Sequence, residues 1–165
     1  MAKLTSAAAL RLRPFVESDD DEIASWFADA GELRFFSGPR LRWPLDSGQW
    51  RSIRLDPSVA AWTAVLGDDD TAIGHGELVT ESPTTVRLAR FAIAPAHRGH
   101  GLGRALLALL VDRSVGAGAT TMTVDVHPDN TNAILSYRTL GFRPSTEAAG
   151  SVLLRMKLPL DRAER

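Results

Sequence analysis

Apolar and polar positions alternate over residues 10–16, with Leu10 and Leu12 set against Arg11 and Arg13. This period of two predicts a strand with one buried face. The period then lengthens. Ser18 opens a predicted helix in which Ile23, Trp26, Phe27 and Ala30 form one apolar stripe. Asp19, Asp20, Asp21 and Glu22 crowd its start, where negative charge suits the positive helix end. A metal or a cationic acceptor is the alternative use of such a cluster. Residues 31–44, with Phe35, Phe36, Trp43 and two prolines, predict an irregular and partly apolar segment. Asp46 or Ser47 then caps a second short helix that carries Trp50, Ile53 and Leu55.

Three strands are predicted next. Residues 59–66 form the first, and the run Asp68, Asp69, Asp70 after Gly67 marks a solvated turn. Residues 72–80 return as its partner, and Gly74 and Gly76 mark a bulge or a close backbone approach. Residues 86–93 follow, leading into a glycine-rich turn and a long apolar helix over residues 102–115, stopped by Gly116. Residues 120–126 alternate and are β-branched, a further strand. Asn130 caps a helix over residues 131–140, Gly141 occupies its C′ position, and Phe142 supplies the apolar contact after it. A polar stretch, 145–150, precedes a last strand, 151–158, and residues 161–165 form a frayed tail. Hairpins in front and a strand–helix–strand crossover behind give an α/β (α+β) domain around one mixed sheet.

Composition narrows the function. A chain of 165 residues suits one domain with a real core. The net charge of -1 gives no overall positive charge to suggest nucleic acid as the main partner. The absence of cysteine excludes disulfides, thiolate metal sites and a cysteine nucleophile. No apolar run is long enough to cross a membrane, and Arg11 interrupts the patch at residues 7–10 too soon for a secretory signal. A cytoplasmic protein is expected. His97 and His100 lie three apart with no third ligand in reach, so no metal is expected.

The chemistry concentrates in Arg98-Gly99-His100-Gly101-Leu102-Gly103-Arg104. Glycine lets backbone approach a ligand closely, and a helix N-terminus offers free N–H groups to a phosphate. Gly103 is followed by Arg104 and Ala105 rather than Lys and Ser/Thr, so this is not a P-loop. Leu106 stands where a dinucleotide fingerprint needs its third small residue. What remains is Arg-x-x-Gly-x-Gly on Arg98, Gly101 and Gly103. Downstream, Val126, Asn130, Ala133, Tyr137, Gly141 and Phe142 form a second spaced pattern, with Asn130 and Tyr137 two turns apart on one side of the helix.

Together, in this order, the two patterns resemble the GNAT N-acetyltransferases. The order of elements in the front half loosely resembles the ribosomal-protein-acetyltransferase branch. The resemblance implies a single domain in which residues 1–85 build the acceptor side, 86–142 the acyl-CoA-binding core, and 143–165 the closing strands and tail. It implies a mostly antiparallel sheet with one splayed parallel pair. It implies acetyl-CoA as co-substrate, its pyrophosphate on the amides of Arg98, Gly99, His100, Gly101, Leu102, Gly103 and Arg104. Asn130 would contact the pantetheine arm, and the backbone of Phe91, Ala92 and Ile93 would border it.

Direct attack by an amine on the thioester is the expected chemistry, with Tyr137 returning a proton to the sulfur. Many members place a glutamate six residues before the last apolar position of the preceding strand. Counted from Ile93, that position is Arg87, which cannot serve as a base. Glu77 is the first choice in its place, with Glu81 and His75 as alternatives. The acceptor is an amine, on a small molecule or a protein N-terminus, and a homodimer is left open. The reading from another class is an acyl-CoA-binding sensor or partner subunit without catalysis.

Overall fold

The structure is a computed structural model that describes residues 10–147 and 152–160. The expectations for residues 148–151 and for the tail at 161–165 lie outside the described residues. The strands are β1 (Leu10–Pro14), β2 (Val59–Leu66), β3 (Gly74–Thr80), β4 (Thr85–Ile93), β5 (Thr121–Val126), β6 (Arg143–Pro144) and β7 (Leu154–Pro159). The helices are α1 (Asp20–Ala24), α2 (Ala30–Ser37), α3 (Ser47–Arg54), α4 (Leu102–Gly116) and α5 (Thr131–Thr139). The strands form one sheet in the order β1-β2-β3-β4-β5-β7-β6. Every pairing is antiparallel except β4 with β5, the crossover through α4.

Two apolar clusters sit on opposite faces of this sheet. Leu102, Leu106, Leu110 and Val111 of α4 pack onto Val86, Leu88, Met122, Val124 and Met156. Across the sheet, Ile23, Trp26, Phe27, Leu33, Trp50 and Ile53 pack with Phe15, Ala72 and Ala94. The helices of the front half therefore cover the face that α4 does not.

The front half departs from the sequence expectation in one place. The predicted first helix stops at Ala24, and a separate helix runs from Ala30 to Ser37 through the segment expected to be irregular. The Asp29 carboxylate accepts from the Glu32 amide at 2.9 Å and starts that helix. The acidic cluster divides as well. Asp19 and Asp20 are buried and ion-paired, Asp19 with Arg13 at 2.7 Å and Asp20 with Arg54. Asp21 and Glu22 stay exposed. Asp19 also accepts from Thr63 Oγ1 at 2.9 Å, which ties the 3-10 turn at Glu17–Asp19 to β2.

Candidate active site

The pairing of β4 with β5 runs from Thr85↔Thr121 to Leu88↔Val124 and then ends. Both strands continue, β4 to Ile93 and β5 to Val126, with β5 still paired to β7. A gap therefore opens between Ala89–Ile93 on one side and Asp125–Val126 on the other.

The cause of the splay is a bulge in β4. Opposite β3 the register passes from His75↔Ala92 to Glu77↔Ala89, so β4 spends three residues where β3 spends two. Arg90 lies in this bulge with φ 43°, the only positive φ at a non-glycine among the described residues. An inserted residue bends its strand and breaks the ladder locally. The glycines of β3 serve another purpose. A Cβ on Gly76 would stand 2.6 Å from Leu110 Cδ1, and one on Gly74 would stand 3.1 Å from Leu106 Cδ2. They let α4 lie close against the sheet. The close approach expected at these glycines is present, and the bulge is in the neighbouring strand.

At the far end of β4 the chain makes a 3-10 turn, Pro95–His97, and then the glycine turn. Gly99 and Gly101 have φ of 79° and 78°, the left-handed region that favours glycine. Gly101 is the N-cap of α4, so the amides of Leu102, Gly103 and Arg104 belong to the first turn, where no helical carbonyl receives them. The Leu102 side chain is buried in the core, which leaves only its backbone for a ligand. Arg98 Nε donates to the Ile93 carbonyl at 3.0 Å and ties the turn to the end of β4. His100 and Arg98 are exposed, and Arg104 reaches across to the Thr139 carbonyl of α5 at 3.4 Å.

The other wall of the gap is built by β5 and α5. Asn130 accepts from the Ala133 amide at 3.3 Å through Oδ1, as its capping role requires, and keeps its amide N–H groups uncommitted among the described residues. Tyr137 is fixed by the end of its own helix. The Phe142 amide donates to the Tyr137 carbonyl at 2.9 Å and the Gly141 amide to the Arg138 carbonyl at 3.1 Å, with Gly141 at φ 103°. This paired closure is a Schellman ending, and its apolar contact is the ring pair Tyr137–Phe142 with centroids 5.4 Å apart. Tyr137 also faces Phe91 of the bulge at 6.4 Å between centroids. Its hydroxyl has no hydrogen-bond partner among the described residues, and burial pushes its pKa well above the ordinary phenol value. The phenol is therefore protonated at neutral pH.

Glu77 stands on the face of β3 away from α4. It is 0% exposed, and both carboxylate oxygens are taken: Arg90 Nε donates to Oε2, and His75 Nε2 lies 2.9 Å from Oε1. Burial works to raise its pKa, but the hydrogen bonds and charge of His75 and Arg90 outweigh it and hold the carboxyl below its usual range. His75 is likewise fully buried, with its ring 4.9 Å from Phe15 and 5.7 Å from Trp50. Glu81 sits elsewhere. It binds Arg155 at 2.9 Å and Arg87 at 3.2 Å beside Asp125, on the still-paired part of the sheet. The structure thus brings Tyr137, Phe91, Ala92, Ile93 and the glycine turn around one gap, and leaves Glu81 and Arg87 outside it.

One contact was not foreseen. Phe35 of α2 lies against His127, just after β5, with ring centroids 5.6 Å apart. His127 Nδ1 accepts from the Asp129 amide at 3.2 Å, which fixes the ring. No sequence signal links α2 to this corner, because residues 31–44 predict an irregular segment. Among the described residues no group of three or more His, Cys, Asp or Glu side chains could hold a metal ion, and no helix is long and apolar enough to cross a membrane.

A parallel pair splayed by a bulge, with a glycine turn at a helix N-terminus on one side and a tyrosine helix on the other, defines the GNAT fold. Spermidine N-acetyltransferase from Vibrio cholerae, solved in complex with CoA and spermine, shares it at a TM-score of 0.73 and 18% identity, over 93% of this chain and 96% of that one. The chain belongs to the GNAT acetyltransferase family, whose model matches residues 17–142. Over 83 residues it is 36% identical to L-2,4-diaminobutyric acid acetyltransferase of Nocardia farcinica, covering 49% of this chain and 43% of that protein. Over 59 residues it is 39% identical to the ribosomal protein bS18 alanine N-acetyltransferase of Escherichia coli, covering 36% of this chain and 40% of that protein. The chain thus spans less than half the length of these curated relatives.

Proposed function

We propose that this protein transfers an acetyl group from acetyl-CoA to a primary amine by direct attack. The observation that carries the reading is the gap between β4 and β5, bordered by the Gly99–Arg104 amides and by Tyr137. The pyrophosphate would lie on the first-turn amides of α4, with Arg98 and Arg104 adding positive charge. The pantetheine arm would run along Phe91–Ile93 and meet the uncommitted amide of Asn130. The amine nitrogen attacks the thioester carbonyl carbon, a C–N bond forms and the C–S bond breaks. Backbone N–H groups near Ile93 would meet the oxyanion, and the departing thiolate takes the Tyr137 proton.

Glu77 is poorly placed for the base expected of it, since both of its oxygens are occupied and its carboxyl is held ionised by ion pairing. The amine is therefore taken to react in its neutral form, losing its second proton to water after attack. Holding the two reactants together supplies much of the rate without a side-chain base. The acceptor class stays at amines on small molecules or on a protein N-terminus, in a cytoplasmic setting that suits a cysteine-free chain. The contact of Phe35 with His127, just past the end of β5, is its proposed lining.

A thiol-release assay with acetyl-CoA and a panel of amines, including diamines, polyamines and alanyl peptides, tests this reading. Amine-dependent release of free CoA is expected. CoA binding with no release on any amine would instead favour the non-catalytic acyl-CoA sensor.

A further inference from the structure

We propose that Glu77 and Arg90 are a positioning pair: their buried contact holds the β4 bulge in the shape that opens the acyl-CoA gap. The inference rests on the acetyltransferase reading for its kinetic consequences. Its structural part stands by itself. Arg90 occupies a backbone region that is costly for a non-glycine residue and persists only where the surroundings enforce it. The enforcement is visible. Arg90 is 7% exposed, and its guanidinium meets a carboxylate that is itself fully enclosed. Glu77 sits across the bulge on β3, at the last regular pairing before the extra residue, Glu77↔Ala89. His75 holds the other oxygen of Glu77, and the rings of Phe15 and Trp50 hold His75. A chain of fixed contacts thus runs from the core of the front half to the single strained residue of β4.

The consequence lies directly downstream. Phe91, Ala92 and Ile93 follow Arg90, and the Ile93 carbonyl receives Arg98 of the glycine turn. The bulge therefore sets both where β4 leaves β5 and where its last three residues face. A carboxylate at position 77 acts here through Arg90 and not on the substrate.

Replacing Glu77 by Gln keeps the shape and removes the charge. The expected result is a kcat about ten- to hundred-fold lower, the scale of an ångström-level misplacement of reacting groups. KM for acetyl-CoA should rise as well, because residues 91–93 border the acyl-CoA gap and Ile93 holds Arg98 of the glycine turn, and the acidic limb of the pH–rate profile should keep its apparent pKa. Adding Arg90→Gly supplies a residue that adopts positive φ without enforcement. The double variant Glu77→Gln/Arg90→Gly should recover most of the lost kcat, although it carries no carboxylate. Amide hydrogen exchange at residues 90–92 should quicken in Glu77→Gln and slow again in the double variant. If Glu77→Gln does not fold, the double variant decides alone: near-normal kcat supports the pair, and inactivity of a folded double variant overturns it. Wild-type kcat in Glu77→Gln, or loss of the acidic limb, also overturns it, the latter by making Glu77 the base. Should the wild type release no CoA with any amine, the acetyltransferase reading fails, while unchanged exchange at residues 90–92 in folded Glu77→Gln still refutes the clamp.

Discussion

Tyr137 and Asp19 show how far single residues are set by their surroundings. The Tyr137 ring is trapped between Phe91 and Phe142, its carbonyl closes the end of α5, and its phenol is kept protonated by burial. Tyr137→Phe leaves all of these ring and backbone contacts and removes only the proton. Turnover should fall about 10²- to 10⁴-fold, the usual worth of one acid–base group, with acetyl-CoA affinity nearly unchanged. Steady-state kinetics on an accepted amine checks this, and wild-type turnover would remove Tyr137 from the mechanism. Asp19 is a stability residue. Burial works to raise its pKa, but hydrogen bonds from Arg13, the Val16 amide and Thr63 hold it below the usual carboxylate range. Its contribution is thus complete above the unfolded value of about 3.9 and is lost as pH falls through the lower folded value. Asp19→Asn should cost about 1–3 kcal/mol at pH 7, since the charge that receives Arg13, the Val16 amide and Thr63 is lost while Arg13 keeps Asp70. Its deficit against wild type should shrink near pH 3. Thermal melts showing equal deficits at both pH values would contradict this source of stability. In sequence, Asp19 and Asp20 read as a helix-end charge cluster, because their partners Arg13, Thr63 and Arg54 come together only in the fold.

Elements with a strong period or a complete cap were legible, and elements defined by their neighbours were not. The strand β5, the long helix α4 and the capped helix α5 follow from alternation, from an apolar run stopped by glycine, and from Asn130 and Gly141 at the two ends. The helix α2 was hidden because Gly31 and the Phe35–Phe36 pair resemble a loop, while its start signal, Asp29, lay inside the stripe assigned to the preceding helix. The bulge was hidden more deeply. Arginine carries no preference for positive φ, so nothing in the sequence marks position 90, whereas Gly74 and Gly76 drew attention to the wrong strand. Those glycines make a prediction of their own. Gly76→Val would push a side chain into Leu110 Cδ1, where even a Cβ would stand at 2.6 Å. Overpacking of this kind costs about 1–3 kcal/mol. It should also lift α4 from the sheet, so denaturant unfolding should show the loss together with weaker CoA binding. An unchanged midpoint would mean that α4 does not rest on β3 as described.

At the scale of the whole molecule, two halves meet at one sheet. The front half packs its aromatic helices on one face and anchors His75 and Glu77. The back half packs α4 on the other and carries the glycine turn. The bulge in β4 is where they meet, just past the point at which β4 parts from β5. The motif residues of the back half were readable because close approach, capping and left-handed turns each demand particular residue types at fixed spacing. The proposed acceptor lining was not readable, because Phe35 and His127 meet only through the fold. The central claim is that this gap, with its glycine turn, is an acyl-CoA site, and calorimetric titration of CoA into wild type and Gly101→Val tests it most directly. Gly101 is at φ 78° with nothing within 4 Å of a Cβ, so a β-branched residue there acts first through strain of the turn. The expected result is binding to the wild type with one CoA per chain, weakened about five- to 150-fold in the folded variant, whose turn relaxes from the left-handed conformation and must be restored by CoA at about 1–3 kcal/mol. Equal affinity in a folded Gly101→Val, or no CoA binding by the wild type, would contradict the account.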